Sequence, residues 1–96
     1  MHIRARHVID EFVKAHPNTK PTFDNWLAVT REAVWQKPTD IKNTFSKASY
    51  VPKKQRAVFR LGGKRNDRMI AQVNFQSGTV TIDRILQRGD KEYDSW

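Results

Sequence analysis

The chain contains no cysteine, so its 96 residues can build neither a disulfide framework nor a thiolate zinc site. That fits a reducing cytoplasm. It also contains no apolar run approaching the roughly 18 residues of a spanning helix, and Met1-His2-Ile3-Arg4-Ala5-Arg6-His7 lacks the apolar segment of a secretory signal. A soluble, cytoplasmic protein with no membrane partner is expected. Glycine and proline are scarce, four of each, and no low-complexity tract or long linker separates one part of the chain from another. The expectation is a single domain over residues 1–96. Histidine is limited to His2, His7 and His16, without close spacing, and in the absence of cysteine no metal site and no cofactor are expected.

The most telling shortage is of acid. Residues 41–75 hold Lys42, Lys47, Lys53, Lys54, Arg56, Arg60, Lys64, Arg65 and Arg68 against the single acid Asp67, a local net of +8, while the remaining residues balance nine bases with nine acids. The whole formal charge of +8 therefore arises in one stretch. With a pI near 10.2, such a field points to a polyanionic partner, and the bases are not laid along one amphipathic helix as a lipid surface would require.

Hydrophobic periodicity divides the chain in two. Val8, Ile9, Phe12 and Val13 form the stripe of a short helix ended by Pro17; Phe23, Trp26, Leu27, Thr30, Ala33 and Val34 line a second, with Pro21 in its first turn. Thr39 or Asp40 is expected to cap a third helix through Ile41, Thr44 and Phe45. From Gln55 the period falls to 2. Ala57, Phe59 and Leu61, then Met69, Ala71, Val73 and Phe75, describe two strands around a Gly62-Gly63 turn, and Ser77-Gly78 leads into a third over Thr79 to Leu86. In strict register Arg84 shares the face of Val80 and Ile82, so either a bulge interrupts that strand or its end opens to solvent or ligand. Residues 1–6 are a candidate further strand. The fold class expected is α+β, with two or three N-terminal helices on one face of a small, twisted, mostly antiparallel sheet. The other face is left for a nucleic-acid strand, with Arg60, Gln72 and Asn74 among its polar positions and Lys53, Lys54, Arg56 and Arg68 at strand ends.

The run Val58-Phe59-Arg60-Leu61-Gly62-Gly63, then Arg68-Met69-Ile70-Ala71, Gly78-Thr79-Val80-Thr81-Ile82 and Glu92-Tyr93-Asp94, with Lys37-Pro38 and Phe45 before them, resembles the HigB toxins. These are a branch of the RelE-like, ribosome-dependent mRNA interferases of type II toxin–antitoxin systems. The resemblance implies a RelE-like fold and metal-independent cleavage of mRNA in the ribosomal A site through 2′-OH attack. It also implies inhibition by a HigA-like helix-turn-helix antitoxin, with operator DNA met only through the antitoxin complex. The chain departs from the family's pattern in two places. Its hairpin, Gly63-Lys64-Arg65-Asn66-Asp67-Arg68, is longer by one residue, and the family's C-terminal histidine is absent, its place taken by Arg88 or Asp90 depending on the direction of counting.

On this reading Arg60, Arg68 and Arg88 are candidates for charge stabilisation at the phosphate, and Asp90 and Tyr93 for proton transfer. Lys53, Lys54, Arg56, Lys64 and Arg65 are candidates for holding the RNA, the first two also for a share in proton transfer. The competing readings are a non-catalytic RNA- or ribosome-binding module of the same fold, and a DNA-contacting co-repressor acting with its antitoxin. Trp26 and Trp35 are expected in the core, both on the second helix. Trp96 is expected to pack or lie exposed.

Overall fold

The computed structural model describes residues 1–62 and 64–93; the expectations placed on Gly63, Asp94 and Trp96 lie outside them. Strand β1 (His2–Arg4) precedes helices α1 (His7–Ala15), α2 (Lys20–Glu32) and α3 (Pro38–Thr44), and strands β2 (Ala48–Val51), β3 (Arg56–Arg60), β4 (Arg68–Asn74) and β5 (Thr79–Leu86) follow. The sheet has five strands in the order β1-β5-β4-β3-β2. All pairs are antiparallel except β1 with β5, which is parallel. This is the α+β arrangement expected, with two additions: residues 2–4 do form a strand, and β2 is a strand that the periodicity did not show. Among the described residues no helix is long and apolar enough to cross a membrane.

One face of the sheet meets the helices. Ile9 of α1, Phe23, Trp26 and Leu27 of α2 and Ile41 of α3 are buried with Phe59, Met69, Ala71, Val73, Val80 and Ile82. Phe59 sits among three rings, with centroids 5.2 Å from Trp26, 5.6 Å from Phe45 and 6.0 Å from Trp35. The side chains alternate as a pleated strand requires, so Arg56, Val58 and Arg60 of β3 and Arg68, Ile70, Gln72 and Asn74 of β4 project to the other side.

Several local expectations are corrected. Helix α2 stops at Glu32, and Ala33 turns extended at φ −73°, ψ 149°, so Val34 is not on its apolar stripe but 78% exposed, and Trp35 is buried from beyond the helix. The Met1 amino group donates to the carbonyls of Thr30, Arg31 and Ala33, and Trp35 Nε1 donates to Thr44 Oγ1 at 2.9 Å. These contacts satisfy carbonyls that a helix end leaves open and fix the chain where it departs. Helix α3 begins earlier than expected, at Pro38. Asp40 serves it from its first turn, accepting the Gln36 and Lys37 N–H groups at 2.9 and 3.2 Å. Leu61 and Phe75 fall outside the strands. Leu61 N donates to Asp67 O at 3.0 Å and Asn66 N to Gly62 O at 3.1 Å. At the next turn Gly78 adopts φ +69°, a conformation costly for other residues, and its carbonyl accepts the His2 N–H that anchors β1.

Strand β5 contains the bulge. Ile70 faces Arg84 but Ala71 faces Ile82, so Asp83 is the extra residue. Before it, Val80 and Ile82 face the helices. After it, Ile85 takes over that face, and Arg84 and Leu86 turn to the opposite one.

Candidate nucleic-acid interface

Arg60 and Arg68 are direct cross-strand partners in the β3–β4 pair. Cβ atoms of such partners lie roughly 4.5–5.5 Å apart, and like charges there oppose pairing. The two guanidinium groups separate. Arg60 reaches toward β2, donating to Ser49 Oγ at 3.2 Å and more loosely to Lys47 O at 3.4 Å, whereas Arg68 donates to the Tyr93 carbonyl at 2.6 Å. The Tyr93 ring lies against the Arg68 guanidinium, 4.0 Å from its carbon to the ring centroid, a cation–π contact.

The C-terminal segment thus covers part of a face expected to be free. Tyr93 is 7% exposed and packs with Ile70 and Leu86 into a small second apolar cluster. Its hydroxyl donates to the Asn66 carbonyl at 2.7 Å. The turn that delivers it is held by Asp90, whose carboxylate accepts the Gln87 N–H at 2.6 Å and whose carbonyl accepts the Tyr93 N–H at 3.0 Å. Arg88 is exposed on the same turn. Replacing Tyr93 by phenylalanine keeps the ring over Arg68 and removes only the bond to Asn66, an expected loss of about 1 kcal/mol in thermal or denaturant unfolding. A far larger fall in any RNA cleavage than in stability would assign the hydroxyl to the chemistry.

The remaining bases separate into distinct places. Lys53 and Lys54 stand on a single 3-10 turn between β2 and β3, and Arg56 starts β3, its guanidinium bonded to the Lys54 carbonyl at 2.9 Å and 3.6 Å from Asp83. Four residues of strand put its Cα about 13 Å from that of Arg60. Lys64 is exposed between β3 and β4. Arg65 is turned inward: it donates to Asp67 at 2.9 Å and to Gln87 at 3.1 Å, and lies 5.7 Å from the Phe12 ring centroid. Asp67, the one acid of the basic stretch, is only 4% exposed, and Arg65 compensates its charge. Arg65 therefore holds the loop and is poorly placed to meet a strand of RNA.

Sequence reasoning missed Arg84. The bulge brings it onto the same face as Ile70, where it pairs with Glu92 and, at 3.5 Å, with Asp83. The hydrogen bond to Glu92, then the nearby Asp83 charge, hold its pKa above the ordinary arginine value. The signal was present in the sequence as the register conflict at Arg84, which left a bulge and an open end undecided.

Residues 19–96 match the family model HigB toxin, described as the RelE-like toxic component of a toxin–antitoxin system. The chain belongs to the HigB toxin family. Three helices on a five-stranded, mostly antiparallel sheet are consistent with a RelE-like fold, and HigB toxin membership implies an antitoxin partner. Among curated proteins, none matches the chain.

Proposed function

We propose that this HigB toxin family member is a cytoplasmic endoribonuclease of a type II toxin–antitoxin pair. It cleaves mRNA in the ribosomal A site by 2′-OH attack and is neutralised by a HigA-like antitoxin, with operator DNA met only through that complex. The observation that carries the reading is the Arg60–Arg68 pair, two cations directly opposed across β3 and β4 on the sheet face away from the helices. An RNA phosphate on this face meets two arginines, the side chain best suited to grip a phosphate with paired donors.

The chemistry requires little else. The substrate carries its own nucleophile, so the protein has to align the 2′-oxygen with the phosphorus, stabilise the phosphorane and assist the proton transfers. Arg60 and Arg68 supply the charge, joined by Arg88 from the 87–90 turn. The Asp90 oxygen not engaged by Gln87 takes the 2′-OH proton as the new O–P bond forms; the P–O5′ bond breaks and the 5′-oxygen takes a proton from water, giving a 2′,3′-cyclic phosphate and a 5′-OH end. Tyr93, its hydroxyl committed to Asn66, positions Arg68. Lys53, Lys54 and Arg56 hold the backbone further along the strand, and Lys64 meets the ribosome or RNA at the loop.

Mapping of transcript 5′ ends after a short induction pulse tests this reading. New 5′-OH ends within translated codons are expected, absent from an Arg60→Ala, Arg68→Ala double variant; growth arrest without new ends would make the protein a binder. Affinity for single-stranded RNA should fall with salt at a log–log slope of about −0.7 per phosphate neutralised, and Arg60→Ala should reduce that slope by about 0.7. Affinity unchanged from low to physiological salt would remove the basic face from the interface.

A further inference from the structure

On the sheet face away from the helices, toward the Arg56 end of β3, lies an open hollow of about 310 Å³ lined by Lys54, Arg56, Asp83 and Arg84. A phosphate group fits it easily. Arg56 and Arg84 come from β3 and β5 with β4 between them, and one carboxylate oxygen joins them: Asp83 Oδ2 is 3.6 Å from the Arg56 Nε and 3.5 Å from the Arg84 Nε. Successive side chains of a regular strand point to opposite faces, and the extra residue at Asp83 is what brings this acid and the next arginine together. Arg84 meets a second carboxylate from outside the sheet. Its Nη1 donates to Glu92, on the C-terminal segment.

The two carboxylates are not held alike. Asp83 is part of β5, whereas the Arg84–Glu92 pair has side chains 45% and 53% exposed, and an ion pair so open to water contributes little to stability. Glu92 can also let go without unseating its neighbour, because the Tyr93 ring packs with Ile70 and Leu86 and its hydroxyl is bonded to Asn66. Glu92 is thus an anion resting where another can rest. Once it leaves, Lys54, Arg56 and Arg84 face only Asp83, a local net of +2. Arg84 is the cross-strand partner of Ile70, which stands two residues, about 7 Å, along β4 from Arg68. An RNA backbone running along the face from the Arg60–Arg68 pair therefore passes over the hollow.

We propose that Arg84, with Arg56 and Lys54, binds a second phosphate of the RNA strand, and that this phosphate takes the place held by Glu92 in the free protein. The proposal depends on the RNA-cleaving reading of the face. Two phosphate oxygens meet the Arg84 fork where the Glu92 carboxylate met it. Arg84 is a positioning residue: it touches neither the 2′-oxygen nor the phosphate that is cut, and it fixes how the strand lies on Arg60 and Arg68. The C-terminal segment becomes a competitor of the substrate at this one point. A carboxylate of a protein partner could pair with Arg84 alone, but a polyanion also meets the arginines in line with it.

The test titrates the whole chain with short, fully 2′-O-methylated oligoribonucleotides, which cannot be cleaved, at several salt concentrations. Arg84→Ala should weaken binding about tenfold and reduce the log–log salt slope by about 0.7. Arg84→Lys should restore the slope but only part of the affinity. Glu92→Gln should act in the opposite sense, tightening binding about 2- to 5-fold at low salt, and both Glu92→Gln and Arg84→Ala should keep a melting temperature close to wild type. In the Arg84→Ala background the gain from Glu92→Gln should vanish. A merely structural ion pair would give the reverse, with both single variants binding more weakly, and that result would overturn the site. So would a Glu92→Gln gain that persists without Arg84, or an Arg84→Ala affinity and slope unchanged while the wild type remains salt-dependent. Weaker antitoxin binding by Arg84→Ala, with RNA affinity intact, would overturn it in favour of a protein carboxylate. If the wild type bound no oligonucleotide with salt-dependent affinity, the reading of the basic face would fail first, and the second phosphate site with it.

Discussion

Replacing Arg68 by alanine should lower mRNA cleavage by roughly 10²- to 10³-fold, the usual cost of removing one preorganised group that stabilises developing charge. Three observations put the effect at the upper end of the single-residue changes considered. Arg68 faces Arg60 across the strand pair, its guanidinium is fixed by the Tyr93 carbonyl at 2.6 Å, and its planar face is covered by the Tyr93 ring. A group held from two sides loses little freedom when it meets a phosphate. The lysine variant separates charge from shape: it keeps the cation but not the two-pronged donor, and its rate should fall between wild type and alanine. The alanine variant also loses the bond to the Tyr93 carbonyl and the contact with its ring, so denaturant unfolding should show a loss of about 1–3 kcal/mol while the circular dichroism stays close to wild type. Cleavage within threefold of wild type in Arg68→Ala would take this residue out of the reaction.

The second large effect concerns the fold. Phe59 is 1% exposed and touches Trp26, Phe45 and Trp35, so its truncation to alanine leaves a hole between three rings that cannot all collapse into it. The expected cost is about 3–5 kcal/mol. A domain of this size has a total stability of roughly 5–14 kcal/mol, so the variant should lose more than about 12 °C in melting temperature and sit near the limit of folding at growth temperature. Denaturant unfolding measures it directly. A loss below about 1 kcal/mol would mean that the ring cluster is not what joins α2 and α3 to the sheet. Because Phe59 immediately precedes Arg60, the same substitution should also weaken RNA binding through a misplaced guanidinium.

How far these residues could be read from sequence depends on the length of the repeating signal. Strands β3 and β4 alternate over enough residues that Phe59, Met69 and Ala71 declared their face, and Arg60, Gln72 and Asn74 the other. Strand β2 has only Ala48 to Val51 between Lys47 and Pro52, too short a window for any period to emerge. Val34 looked like a continuation of the α2 stripe, and nothing local announces that the helix ends at Glu32; the chain leaves there so that Trp35 can be buried beside Phe59 and bonded to Thr44, a tertiary cause. The opposition of Arg60 to Arg68 required the pairing register, which alternation alone does not state. Arg65 read as one more cation of the basic run, yet its role was decided by Asp67 two residues away and by Gln87, distant in sequence. The seat of Tyr93 on Ile70 and Leu86 has no periodic signature at all.

The extra residue in β5 allows one continuous strand to serve two masters. Its opening half is dictated by the oily layer, and alteration there would be felt throughout the molecule. Beyond Asp83 only Ile85 still answers to that layer, while Arg84 stands on the other side of the sheet, so a change at Arg84 alters the grip on an anion and leaves the scaffold as it was.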